Sequence, residues 1–211
     1  MSTERIAGIL LAGGKSSRMG GGDKSLRLLG RRSMLARAAS RLAPQVAALA
    51  LNANGDPARF AGFDLPVIAD TLPGHPGPLA GILAGMEWAA ATPNRTHLVS
   101  VACDTPFFPA DLVSRLVEAA DGRPERIAVA ASGGRRHPVF GLWPLALRPA
   151  LRYFMEEGAT YRVSDFVERQ DFALADFPML TLVQGMVDPF FNVNTEIDLM
   201  IAERIGAGLP T

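Results

Sequence analysis

A lone cysteine, Cys103, leaves no partner for an intrachain disulfide, so the fold must rest on apolar burial and not on covalent staples. The three histidines, His75, His97 and His137, lack the short spacing of paired ligands, which argues against a zinc site. An excess of one charge is missing too: Lys plus Arg and Asp plus Glu number 21 each. That balance removes the broad basic surface of a nucleic-acid binder, so no nucleic acid is expected and any cationic site must be local. No apolar stretch approaches the roughly 20 residues of a membrane span. The opening Met1-Ser-Thr-Glu-Arg5 leads into a strand rather than a signal peptide, so no membrane is expected and the cytoplasm is the natural setting. What is present is a 211-residue chain, 48% hydrophobic and 20% charged, which reads as a single domain spanning residues 1–211. Such a chain buries roughly 70% of its unfolded surface and needs no staples.

The richest stretch is Leu10-Leu-Ala-Gly-Gly-Lys-Ser-Ser-Arg-Met-Gly-Gly-Gly-Asp-Lys24, directly after the apolar run Ile6–Leu11. A short apolar run ending in glycines reads as a buried parallel strand that opens into a ligand-binding loop. Gly13 and Gly14 let the backbone approach a ligand with its N–H groups, while Lys15, Arg18 and Lys24 add cations. That combination suits a polyphosphate. The spacing excludes two common phosphate binders: the P-loop fails because Asp23 precedes Lys24-Ser25, and the dinucleotide fingerprint fails because its second and third glycines are out of register.

Beyond the loop, apolar runs alternate with helical patterns. Strands are expected at Ile6–Leu11, at 46–51 ending on Asn52, at 67–69 ending on Asp70, and at His97–Ala102 ending on Cys103-Asp104. Helices are expected at 33–42, at 79–90 with Pro78 helping to start it, and at 109–120. This order predicts an α/β fold with a doubly wound, mostly parallel sheet. After the strand at 126–131, Ser132-Gly-Gly134 separates it from another at 137–143, which predicts an antiparallel hairpin or edge in the C-terminal half. Helices follow at 145–156 and 161–169, and a final helix opens with Thr195 and Asp198 in capping-box spacing.

In an open α/β sheet, ligands bind outside the carboxyl ends of the strands, so Ala12–Lys24, Asn52, Asp70 and Asp104 should meet in one crevice. Asp104, in Ala102-Cys-Asp-Thr-Pro106, is the candidate Mg²⁺ ligand, since Mg²⁺ bridges one or two carboxylates to substrate phosphates; the competing reading is a turn-forming Asp. Asn52 and Asp70 divide evenly between contacts to a base or sugar and roles in turns. Gly77, Pro78 and Gly81, in His75-Pro-Gly-Pro-Leu-Ala-Gly81, read as a rigid turn and helix start whose N–H groups are candidates to line a base pocket. Cys103 reads as a small buried residue and His97 as structural. His137, after Arg135-Arg136, divides between an acceptor phosphate and a solvated hairpin face.

Taken together, Leu11-Ala-Gly-Gly-Lys-Ser-Ser-Arg-Met-Gly20, Asp23-Lys24, Leu51-Asn-Ala-Asn54, Asp70, Pro76-Gly-Pro-Leu-Ala-Gly81, Cys103-Asp-Thr-Pro106 and Phe191-Asn-Val-Asn-Thr195 resemble, in the same order, the molybdenum cofactor guanylyltransferases of the MobA type. The resemblance spans 6 to about 200 and is weakest between 110 and 188. It implies transfer of GMP from GTP to the phosphate of molybdenum-molybdopterin with release of pyrophosphate, and Mg²⁺ as cofactor. It places GTP on Leu11, Ala12, Gly13, Lys24, Asn52, Asp70 and Asp104, the last also holding the metal. It sets Asn192 and Asn194 on the acceptor side. Lys24 and Arg18 would then stabilise charge on the α-phosphate and departing pyrophosphate, with a nucleotide-binding N-terminal half, an acceptor-binding C-terminal half, and a monomer or transient complexes with molybdoenzyme-maturation proteins. The run Gly20–Gly22 departs from the usual two glycines. The alternatives are a sister nucleotidyltransferase using CTP or a sugar-phosphate acceptor, and a non-catalytic nucleotide-binding regulator.

Overall fold

The computed structural model describes residues 3–13, 23–74, 77–158, 160–183 and 185–208. The apolar run at the start forms β1 (Ile6–Leu11), every residue of which is buried. A two-rung ribbon, β2 (Leu28–Leu29) and β3 (Arg32–Ser33), leads into α1 (Met34–Leu42), whose first turn is capped by the Ser33 hydroxyl accepting from Ala36 N. Then come β4 (Ala48–Asn52), β5 (Val67–Ile68), α2 (Pro78–Ala91), β6 (His97–Ala102), α3 (Leu112–Ala119), β7 (Ile127–Ser132), β8 (Arg135–Pro144), α4 (Arg148–Glu157) and α5 (Val163–Val167). After these come β9 (Phe172–Phe177), β10 (Leu180–Leu182), β11 (Gly185–Val187) and α6 (Glu196–Gly208).

Seven strands form the main sheet in the order β5-β4-β1-β6-β8-β7-β9. β5, β4, β1 and β6 pair in parallel, β8 runs antiparallel to both its neighbours, and β9 returns parallel to β7. The register sets Leu11 level with Asn52 on one side and Ala102 on the other. These three carboxyl ends therefore open side by side.

Both faces of the sheet are covered, which is why β1 is apolar at every position. Ile6 and Leu10 pack with Leu35, Leu42, Leu112 and Leu116 of α1 and α3. Ala7, Ile9 and Leu11 face the opposite way, against Leu79, Ile82, Leu83 and Met86 of α2. α2 lies so close to the sheet that a Cβ on Gly85 would stand 3.0 Å from Ile9 Cβ, and one on Gly81 only 2.3 Å from Asn52 Oδ1. We expect Gly81→Ala to lower stability by about 1–3 kcal/mol, because backbone and a fixed amide must both shift. A thermal melt checks this; an unchanged midpoint would mean that helix and strand separate freely.

Most expected elements are present, with shifts that have local causes. The strand expected from Val46 starts at Ala48, since Ala43–Gln45, which contains Pro44, forms a 3₁₀ turn first. The helix expected from Pro109 starts at Leu112. The hairpin at Ser132–Gly134 is there, with β8 inserted between β6 and β7 and the edge position taken by β9, which the hydrophobic pattern had not revealed. β2, β3, β10 and β11 were also absent from the sequence reading.

A satellite cluster of Leu29, Met34, Phe107, Val193, Ala202 and Ile205 seats α6 beside the strand ends. The Thr195–Asp198 capping box forms: Thr195 Oγ1 accepts from Asp198 N at 3.1 Å, and Asp198 Oδ2 accepts from Thr195 N at 2.8 Å and Asn194 N at 2.9 Å. Burial opposes ionisation of Asp198, but these N–H groups draw its carboxyl below the ordinary range. The cap thereby fixes the backbone of Asn194, which points back into the crevice.

Candidate active site

Two polar clusters stand at the carboxyl edge of the sheet. The first joins distant parts of the chain around Lys24. Its ammonium donates to Asp104 Oδ2 at 2.6 Å and to Asn194 Oδ1 at 2.7 Å. Asp104 follows β6 and its carbonyl accepts from Val193 N at 2.8 Å, so the Phe191–Thr195 segment is laced to the strand end. Thr105 Oγ1 bonds Asn192 Oδ1 and lies 3.4 Å from Asp104 Oδ1. Asp104 and Lys24 are both partly exposed, with side-chain accessibilities of 28% and 16%. A ligand can reach them.

The second cluster lies around Asp70. Asn52, the last residue of β4, is buried, and its amide donates to Ile68 O at 3.0 Å and Asp70 Oδ1 at 2.9 Å. Asn54 donates to Asp70 Oδ2 at 2.6 Å and accepts from Asp70 N at 2.9 Å. Each Asp70 oxygen thus has one amide partner and keeps further lone pairs. Ala12 N donates to Asn52 O and Cys103 N to Leu11 O, which ties the end of β1 and the residue after it to the neighbouring strand ends.

Gly77 precedes α2 at φ 111°, a backbone conformation that favours glycine, and Pro78 occupies the first turn. Gly81 is buried beneath the Asn52 amide. Leu11 is buried, while Ala12 and Gly13 rise toward the surface. Asn192 and Asn194 are exposed. Gly14, Lys15, Arg18, His75 and Pro76 lie outside the described residues.

Among the described residues, no group of three or more His, Cys, Asp and Glu side chains stands together to hold a metal by itself. The donor set around Asp104 is one carboxylate and neutral amide and hydroxyl oxygens. That set suits an ion delivered with phosphate oxygens, not a resident caged metal.

Cys103 is fully buried, and burial, reinforced by Asp104, pushes its thiol far above the ordinary range, so it is no nucleophile at neutral pH. His97 is buried between Thr96 Oγ1 and Pro124 O. His137 stacks on Phe190 at 4.6 Å and its Nε2 stands 2.7 Å from Ser132 Oγ, which donates to Asp188 Oδ1 at 2.7 Å. Burial lowers the His137 pKa, with the Asp188 carboxylate opposing. These contacts anchor the turn that feeds Phe191–Thr195.

Sequence reasoning gave no role to Thr105 or Asn54. The signal for Asn54 was available: residues two apart at the end of a strand point to the same face, so Asn52 and Asn54 can grip one carboxylate together.

Residues 8–172 match the MobA-like NTP transferase domain. A protein of Mesorhizobium japonicum named molybdenum cofactor guanylyltransferase is 54% identical over 95% of each chain. Among solved structures, the molybdopterin-guanine dinucleotide biosynthesis protein A of Archaeoglobus fulgidus superposes with TM-score 0.73 at 18% identity, over 96% of this chain and all of that one. The 4-diphosphocytidyl-2C-methyl-D-erythritol synthase of Anaerococcus prevotii gives TM-score 0.69 at 11% identity over 97% of each, a likeness of fold alone. With the strand-end loop, the Lys24–Asp104 pair and the Asn52–Asp70 pair all carried inside the matched region, the chain belongs to the MobA-like family of NTP transferases.

Proposed function

We propose that this nucleotidyltransferase moves GMP from GTP to the terminal phosphate of molybdenum-molybdopterin, forming the guanine dinucleotide cofactor and releasing pyrophosphate. The observation that carries the reading is the Lys24–Asp104–Asn194 cluster standing beside the Asn52–Asp70 pair. It pairs a cation and a carboxylate suited to phosphates with a fixed acceptor suited to a base or sugar.

In the reaction, an acceptor phosphate oxygen bonds to the α-phosphorus while the bond from that phosphorus to the bridging oxygen breaks, and pyrophosphate leaves with the electron pair. Two anions must approach in line. Positioning and charge neutralisation therefore carry the catalysis, and no side-chain nucleophile is required. Lys24 supplies a positive charge at the phosphates, and Arg18 is assigned the same task from the glycine-rich loop. Leu11, Ala12, Gly13 and Gly14 offer backbone to the nucleotide. Asn52 holds Asp70 toward the base or sugar, while Gly77, Pro78 and Gly81 shape the start of α2 beside them.

Asp104 would hold Mg²⁺, which when bound neutralises phosphate charge. Asn192 and Asn194, brought from the C-terminal half by the turn before α6, are assigned to the acceptor side. On this reading the first half of the chain grips nucleotide and the second presents the acceptor. The single buried thiol fits a reducing, cytoplasmic setting, with the protein working as a monomer or in transient complexes that pass its product on.

The test is pyrophosphate release from GTP with and without molybdenum-molybdopterin. Release that requires both substrates is expected. Binding of GTP with no release in the presence of acceptor would convert the protein into a nucleotide-binding regulator.

A further inference from the structure

Asp23, the residue before Lys24, makes no side-chain bond to the 3₁₀ turn that it precedes. Its two carboxylate oxygens accept from Arg59 Nη1, each at 2.7 Å. The rest of that guanidinium is committed elsewhere. Nη2 donates to Asn54 O at 2.6 Å and Nε to Asp56 O at 2.9 Å, while Cζ lies 5.0 Å from the ring centre of the buried Phe60. Asp56 Oδ1 in turn accepts from Ala58 N at 2.9 Å, capping the short helix Pro57–Phe63 that carries Arg59.

One side chain therefore joins the residue next to Lys24 to Asn54 of the second cluster. On one side it holds the backbone position from which Lys24 reaches Asp104. On the other it holds Asn54, whose amide grips Asp70. A planar fork with three nitrogens engaged can do this where a lysine ammonium cannot. Isolated exposed ion pairs contribute little. Here Asp23 is only 18% accessible, and the guanidinium also bonds two carbonyls, so the contact acts as a brace across the crevice.

We infer that Arg59 is a positioning residue: by joining Asp23 to Asn54 it fixes the separation between Lys24 and the Asn52–Asn54–Asp70 cluster, so that one nucleotide meets both at once. The inference rests on the nucleotide-transfer reading of this site and adds to it the residue that couples its halves. On this reading Arg59 acts through Asp23 and Asn54 and not on the nucleotide directly. Its effect falls on ligands that load both clusters, such as a nucleoside triphosphate, more than on a monophosphate, which offers Lys24 one phosphate instead of three.

The experiment is calorimetric titration of GTP and of GMP, with Mg²⁺ present, into the unaltered protein and into Arg59→Met, Arg59→Lys, Asp23→Asn and the double variant Asp23→Asn/Arg59→Met. In Arg59→Met the preference for GTP over GMP should fall about tenfold, the size of coupling found within one hydrogen-bond and ion-pair network, while GMP affinity stays within about twofold. Arg59→Lys should recover part of the preference. Asp23→Asn should reproduce most of the loss, and the double variant should lose little more. Asp23→Asn preserves shape, so it keeps the test open if Arg59→Met fails to fold. An unchanged GTP-to-GMP preference in Asp23→Asn and in the folded Arg59 variants overturns the role of Arg59. Failure of the unaltered protein to bind GTP overturns the nucleotide-transfer reading itself, and this inference with it.

Discussion

Asp104→Asn should cut turnover by about 10²–10³-fold, the usual scale for losing one preorganised electrostatic contact in a transition state. The substitution keeps volume and removes one negative charge, so the site loses its only carboxylate bonded to Lys24 among the described residues. The fold should survive. Asp104 tethers Val193 through its backbone carbonyl, which the substitution leaves in place. The ion pair that disappears is partly exposed and contributes about 0.2–1 kcal/mol at most. For a chain of this size the melting midpoint should then fall by no more than about 4 °C. Steady-state pyrophosphate release, read beside a thermal melt, separates the two effects. Near-normal turnover in the folded variant would reduce Asp104 to a turn residue and leave metal binding without a protein ligand at this strand end.

The same residue illustrates what the sequence made legible. Asp104, Asn52, Asp70 and the loop after Leu11 each follow an apolar run, and the rule that parallel sheets bind ligand at their carboxyl ends was enough to bring them to one edge. The rule says nothing about pairing within that edge. Lys24 and Asp104 are 80 residues apart, and Lys24 and Asn194 170 apart, so their contact depends on the satellite cluster that seats α6. The α6 part of that cluster was invisible because its buried members are mixed with exposed apolar residues. α6 carries Ile197, Met200 and Ile201 in the open while Ala202 and Ile205 are buried, and such a helix shows no clean apolar stripe.

β9 was hidden for a related reason. As an edge strand it buries Ala175 and Phe177 well but leaves Leu174 exposed, which blurs the alternation that marks a strand. β8 was read as a hairpin partner but not as an interior strand. Its central position follows from two pairings, Val99 with Leu142 and Val129 with Gly141, that link distant segments. Arg59 lay furthest out of reach. It sits in a short helix after Asn54 with nothing in its neighbourhood to suggest that its partner is 36 residues back, beside Lys24. Local pattern finds groups that face a ligand; it does not find the braces that hold them apart.

The other large effect is base choice, where the fold itself gives no guidance. A shared architecture does not choose the base, so discrimination must come from side chains at the strand ends. On the proposed reading, with Asp70 turned to the base, its carboxylate is the decisive group. Its carboxylate is held by Asn52 and Asn54, and its own N–H is bound to Asn54 Oδ1, so it stands as a preorganised acceptor. Guanine brings two adjacent donors, the ring N1–H and the exocyclic amino group. Cytosine and adenine each bring only the amino group beside an unprotonated ring nitrogen, which would face the carboxylate lone pair to lone pair. A buried polar group left unpaired by the wrong ligand discriminates far more strongly than a difference in ring size. GTP should therefore exceed CTP and ATP in kcat/KM by at least about 10²-fold with molybdenum-molybdopterin as acceptor. Asp70→Asn should erode that preference while leaving the Lys24–Asp104 pair undisturbed, because an amide replaces one acceptor oxygen with a donor. Comparable kcat/KM for CTP and GTP in the unaltered protein would sink the guanylyl assignment and leave nucleotidyl transfer to the same acceptor edge as the function that survives.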